Sequence, residues 1–88
     1  METPTAITAI FNPQPLIHAR EAQNLTQQEL GKRIGVGQST IADIETGRRK
    51  PSLPLLAKLC RFLSISMESL FFFENFNDNG DKHLTKYR

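Results

Sequence analysis

The sequence predicts an all-α fold: one compact domain of five short helices, with an extended segment before it and a polar tail after it. Three observations carry this. Apolar residues recur at helical spacing from Leu16 onward. Ser, Thr and Pro stand where helices would start. Gly35 and Gly47 stand where two of them would stop. With 88 residues and 39% hydrophobic content, the chain has room for one small core, and dimerisation would add to its stability.

The elements follow in order. Residues 1–14 form a first segment, in which "TAITAIF" is rich in Thr and Ile and suits a short strand or extended arm. "NPQP" stops it, and Pro15 is tolerated in the first turn of a helix over 15–23. Asn24 suits the C-terminal cap of that helix. Thr26-Gln27-Gln28-Glu29 fits a capping box, with Leu25 and Leu30 as its hydrophobic staple. Leu30 and Ile34 share the inner face of this second helix, and Gly35 ends it. A third helix starts at Gln38 with Gly37 as N-cap, buries Ile41 and Ile44, and ends before Gly47. Ser52 caps a fourth, apolar on two faces: Leu53, Leu56, Cys60 and Leu63 on one, Leu55, Leu59 and Phe62 on the other. Ser66 caps a short fifth helix reaching about Phe72. The main domain is therefore 15–73, and 74–88 reads as a polar, flexible tail.

Composition excludes several classes. One cysteine, Cys60, rules out an intramolecular disulfide and a cysteine-based zinc site, and it reads as a core residue. His18 has no second His or carboxylate spaced to share a metal, and His83 lies in the polar tail, so no metal and no cofactor is expected. No paired carboxylates, nucleophile triad or phosphate loop suggests an enzyme. No secretory signal and no run of about 20 apolar residues is present, so no membrane partner is expected and the chain reads as cytoplasmic. Net charge is only +2, yet 15–73 holds eight Lys or Arg against five acids, and Arg48, Arg49 and Lys50 are consecutive. A basic cluster on a small domain suggests a polyanion partner.

Two helices joined by a tight glycine-containing turn form the unit that places its second helix in the DNA major groove. The stretch "LTQQELGKRIGVGQSTIADIETGRRKPSLPLLAKLC" meets the requirements: Gly31 is small at the helix crossing, Gly35 makes the turn, and Ile41 and Ile44 back a polar front. It resembles the helix-turn-helix domain of phage repressor, Cro and XRE-type transcriptional regulators over 16–72. The resemblance rests on Leu-Thr-Gln followed by Glu-Leu, then Gly35, Ile41, Ile44-Glu45, Gly47 and Pro51. It implies a compact five-helix, lambda-repressor-like domain, usually dimeric, reading a palindromic operator in double-stranded DNA. Gly31 stands where the family usually has Ala, and Gly37 where it usually has a polar residue. Each costs helix stability of up to about 1 kcal/mol and suggests a looser version of the unit.

Residue roles follow from geometry and from the matched positions. Gln38, Ser39, Thr40, Ala42 and Asp43 are the candidate base readers. Gln can bond adenine N6 and N7 bidentately, and Asp can accept from cytosine N4. Gln27, at a helix N-terminus, and Gly37, Arg48, Arg49 and Lys50 are the candidate phosphate contacts. Three basic contacts per subunit would give a dimer a salt slope of about −5. The resemblance also implies a partly buried, structural salt bridge between Arg20 and Glu45.

Phe71, Phe72, Phe73 and Phe76 exceed what a short helix can bury, so some are assigned to a dimer or partner interface or to packing under the N-terminal segment, with capping of the same chain's core as an equal alternative. The primary expectation is a dimeric regulator, a repressor. The alternative is an antitoxin of the HipB type, which would bind a toxin kinase as well as operator DNA through segments such as 5–11 and 72–88.

Overall fold

The computed structural model describes residues 6–76 and 82–86, with side chains over 6–74. Its elements run β1 (Ala6–Phe11), α1 (Gln14–Ala22), α2 (Gln27–Ile34), α3 (Gln38–Glu45), α4 (Leu53–Leu63), a 3-10 turn (Glu68–Leu70), β2 (Phe71–Phe76) and β3 (Lys82–Lys86).

The four helices close around one core. Leu16 from α1, Leu30 and Ile34 from α2, Ile41 and Ile44 from α3, and Leu56, Leu59, Cys60 and Leu63 from α4 are all buried, and Leu70 joins them from the 3-10 turn. Six of these side chains are fully enclosed, each stabilising the fold by about 1.5–3 kcal/mol. In α4 one expected core position is outside: Leu53, the first helical residue, is 67% exposed, because the helix enters the core only one turn later, at Leu56. Ser52 caps α4 by accepting from the Leu55 N–H at 3.3 Å.

The all-α, five-helix expectation is corrected at the C-terminal end. Ser66 does start a turn, with its Oγ accepting from the Ser69 N–H at 3.2 Å, but helical geometry lasts only through Leu70. Phe71 is already extended, at φ −134° and ψ 143°. Three consecutive phenylalanines fit a pleated, half-buried surface better than a helix, and β1 supplies the partner strand. β1 and β2 pair antiparallel in the register Phe11↔Phe71, Ala9↔Phe73 and Ile7↔Asn75. β3 pairs antiparallel with the other edge of β2, giving the order β1-β2-β3. Glu74–Phe76 and Lys82–Lys86, expected in a flexible tail, therefore belong to a sheet. Residues 1–5 of the N-terminal segment and 77–81, 87 and 88 of the tail lie outside the described residues.

The sheet is fixed to the helices at one end. The Asn12 N–H donates to the Leu70 carbonyl at 2.6 Å. The Phe11 and Phe71 rings meet edge to face at 5.9 Å between centroids, and both pack against the helical core. Phe71 and Phe73 lie 6.4 Å apart on the same face. Phe11, Phe71 and Phe73 thus have ring partners within one chain. Phe72 is half-buried and pairs with Ile10, and Phe76 pairs with Ala6 in the strand register.

Candidate nucleic-acid interface

The interface is built from α2, the turn after it, and α3. Thr26 caps α2 as the sequence specifies: its Oγ1 accepts from the Glu29 N–H at 3.0 Å, and Glu29 Oε1 accepts from the Thr26 N–H at 2.8 Å. These bonds hold the exposed Glu29 carboxyl below the usual carboxylate range. Leu30 N–H bonds the Thr26 carbonyl, which leaves the Gln27 and Gln28 amides without an intramolecular partner among the described residues. Unpaired amides at the positive end of a helix dipole suit an anion.

Gly35 leaves α2 at φ +83°, a conformation that costs a side-chain-bearing residue more than glycine. Gly37 then enters α3 at φ −78° and ψ 162° with no side-chain cap. The turn is tight. The Gly31 carbonyl accepts from both Gly35 and Val36 N–H at 2.8 Å. A Cβ on Gly31 would stand 2.5 Å from the Val36 oxygen and 3.3 Å from Gly37 backbone atoms. The looser packing expected at Gly31 is therefore corrected: the missing methyl lets the turn fold down onto α2.

The orientation of α3 is held from behind by a polar hub. Arg20 Nε donates to Glu45 Oε2 at 2.7 Å, and Nη2 to Oε1 at 3.0 Å. Arg20 Nη1 donates to the Leu25 carbonyl at 2.7 Å. Gln27 Nε2 donates to Glu45 Oε1 at 2.9 Å. Three helices thus meet at one carboxylate, whose side chain is only 5% exposed, and Arg20 ties the α1–α2 loop to it. The hydrogen bond to Glu45 leads the causes that raise the Arg20 pKa above its ordinary value, so the pair stays charged. Spacing alone did not reveal that Gln27 belongs to this hub. Its side-chain nitrogen is engaged with Glu45, while its backbone N–H remains open.

On the opposite side, Gln38 and Ser39 are exposed at the start of α3, and Thr40, Ala42 and Asp43 are half-buried. Ile41 and Ile44 are fully buried behind them. Arg48, Arg49 and Lys50 are exposed in the loop after α3. The Asp43 carboxylate lies between Arg48 Nη1 and Arg49 Nη2, each 4.0 Å away, and the Arg49 N–H donates to the Asp43 carbonyl at 3.1 Å. Exposed pairs at that distance contribute little stability. The two guanidinium groups stand near the Asp43 carboxylate on exposed side chains. Asp43 thus faces the basic loop.

With this geometry in place, comparison with known proteins decides the family. The Helix-turn-helix family model matches residues 16–70, more than half of the chain. The chain belongs to the XRE-type helix-turn-helix family. It is 40% identical over 60 residues to an uncharacterized HTH-type transcriptional regulator of Methanocaldococcus jannaschii, covering 68% of this chain and 91% of that protein. It is 42% identical over 52 residues to the Bacillus subtilis HTH-type transcriptional regulator YgzD, covering 59% and 79%. An HTH-type regulator of Archaeoglobus fulgidus is 43% identical over 51 residues, covering 58% and 72%. The matched span includes the helices, the hub and the basic loop. Membership makes this helix-turn-helix chain a non-enzyme. No helix among the described residues is long and apolar enough to cross a membrane.

Proposed function

We propose that the chain is a sequence-specific, double-stranded DNA-binding transcriptional regulator that acts as a dimeric repressor. The observation that carries this reading is the two-sided character of α3. Its back is locked by Ile41, Ile44 and the Arg20–Glu45–Gln27 hub, while Gln38 and Ser39 stand exposed at its N-terminal end. In this reading α3 enters the major groove, Gln38 and Ser39 read base edges, and Thr40 and Ala42 touch thymine methyls or phosphate. Asp43 accepts from a cytosine only by giving up its arginines. The Gln27 amide, the Gly37 backbone, Arg48, Arg49 and Lys50 hold phosphates on either side.

Dimerisation supplies the second half-site of a palindrome. The open outer edge of β1, with Ile7 68% and Ile10 37% exposed and no charged residue along the strand, suits pairing with a second copy. Phe72 and Phe73 lie behind that edge, on the strand β1 pairs with. The names of the relatives, all HTH-type transcriptional regulators, support the regulatory role.

The test is selection of bound duplexes from a random pool. A palindrome with half-sites about 10 bp apart is expected. Gln38→Ala with Ser39→Ala should change the selected sequence, and Arg48→Ala with Arg49→Ala should weaken binding to every duplex. If both pairs of changes act alike on unrelated duplexes, α3 is not the reader. The antitoxin reading draws support from the sheet that the two terminal segments add to the helical core. Failure to enrich any sequence would favour it.

A further inference from the structure

A second basic surface lies away from the proposed DNA contacts. Arg33 from the last turn of α2 and Lys58 and Arg61 from α4 line a groove of 320 Å³, whose floor is Ile34 and Phe62. The Arg33 guanidinium lies over the Phe62 ring, 6.0 Å from its centroid, so aromatic and cation already face each other. No acidic side chain lines the groove, and none of the three cations forms an ion pair among the described residues. Helix α4 carries no acid at all. Glu29, four residues before Arg33, is hydrogen-bonded within the capping box and feels the Arg33 charge without forming an ion pair.

Basic residues in a last turn are often explained by the helix dipole, and this covers Arg33 and Arg61. It does not cover Lys58, in the middle of α4. The groove is also offset along both helix axes from the phosphate contacts proposed around α3. Arg33 is six residues beyond Gln27, about 9 Å along the α2 axis, and Lys58 and Arg61 are about 9 and 14 Å beyond the Ser52 cap that follows the basic loop.

We propose that this groove docks an acidic segment of a partner protein, whose carboxylates meet Arg33, Lys58 and Arg61 and whose apolar side chain rests on Ile34 and Phe62. A phosphate backbone would use the cations and leave the apolar floor idle; an acidic peptide with one large apolar residue uses both. The groove does not depend on how DNA is read. Only the separation of the groove from the DNA contacts rests on α3 being the reader.

The experiment follows backbone amide shifts of the isotopically labelled full chain. The probes are a short Asp/Glu peptide with a central Leu–Phe pair, the same peptide with Ser–Ser in its place, and an operator-length duplex added separately. The Leu–Phe peptide should shift Arg33, Ile34, Lys58, Arg61 and Phe62 and bind several-fold more tightly than the Ser–Ser peptide. Lys58→Glu with Arg61→Glu should lower its affinity at least about tenfold, while duplex affinity stays within about twofold and other amide positions are unchanged. The proposal is overturned if both peptides bind equally, if the shifts fall on Arg48, Arg49 and Lys50, or if the double charge reversal weakens duplex binding as Arg48→Ala does. The last result would make the groove a phosphate contact. An unaltered chain that binds no duplex while its peptide map holds would instead overturn the DNA reading and leave this one standing.

Discussion

Replacing Glu45 by Ala removes the one carboxylate shared by three helices. Arg20 would lose its bonds at 2.7 and 3.0 Å, and Gln27 would lose one at 2.9 Å. Arg20, with a side chain only 12% exposed, would keep its charge with only the Leu25 carbonyl as partner. Breaking a buried pair by removing one partner costs about 3–5 kcal/mol, a large share of the roughly 5–15 kcal/mol that holds a small domain folded. At about 4–8 °C per kcal/mol, the Tm should fall by at least about 12 °C. Thermal unfolding followed by far-UV circular dichroism measures the Tm, and urea unfolding gives the free energy. Arg20→Met combined with Glu45→Leu is the informative control. Apolar packing in place of the pair should cost less than Glu45→Ala alone, because no charge is stranded. A loss under about 1 kcal/mol for Glu45→Ala, the behaviour of an exposed pair, would refute the hub as the brace of α3. So would a double variant whose loss equals the sum of the single losses.

Three further outcomes are expected. Gly31→Ala should gain about 1 kcal/mol of helix propensity but lose more to the Cβ contact at 2.5 Å, for a net destabilisation and weaker DNA binding; a stabilised variant in thermal unfolding would contradict the close turn. Because the Glu29 pKa is lower folded than unfolded, its contribution is present above the unfolded value and disappears as pH falls through the folded one. Glu29→Gln should therefore flatten the acid limb of a stability–pH profile, and an unchanged limb would refute the capping contribution. Burial raises the Cys60 thiol pKa, so it should react slowly with a thiol reagent at neutral pH and quickly in urea; equal rates would place it outside the core.

Local chemistry made α2 and α3 legible. Capping box and positive-φ glycine are short-range devices, and each works through residues within four positions of one another. The buried faces of α2 and α3 were equally readable, because helical spacing alone puts Leu30 with Ile34 and Ile41 with Ile44. The 3-10 turn was not. Ser66 gives the same start signal as a helix cap, and the decision to extend at Phe71 depends on a strand sixty residues earlier in the chain. The Arg20–Glu45 pair came from family resemblance rather than from spacing, and Gln27's place in it came only from the fold.

The sequence by itself determined where the helices around the turn begin and end, which faces they bury and where basic charge concentrates. Tertiary structure decided what depends on distant partners meeting: the sheet formed by the two ends of the chain, the carboxylate shared by α1, α2 and α3, and the groove between α2 and α4. A cap or a helical face is specified within one turn of helix. A strand pair, a buried ion or a groove exists only once separate segments are brought to contact distance, and no local pattern encodes that distance.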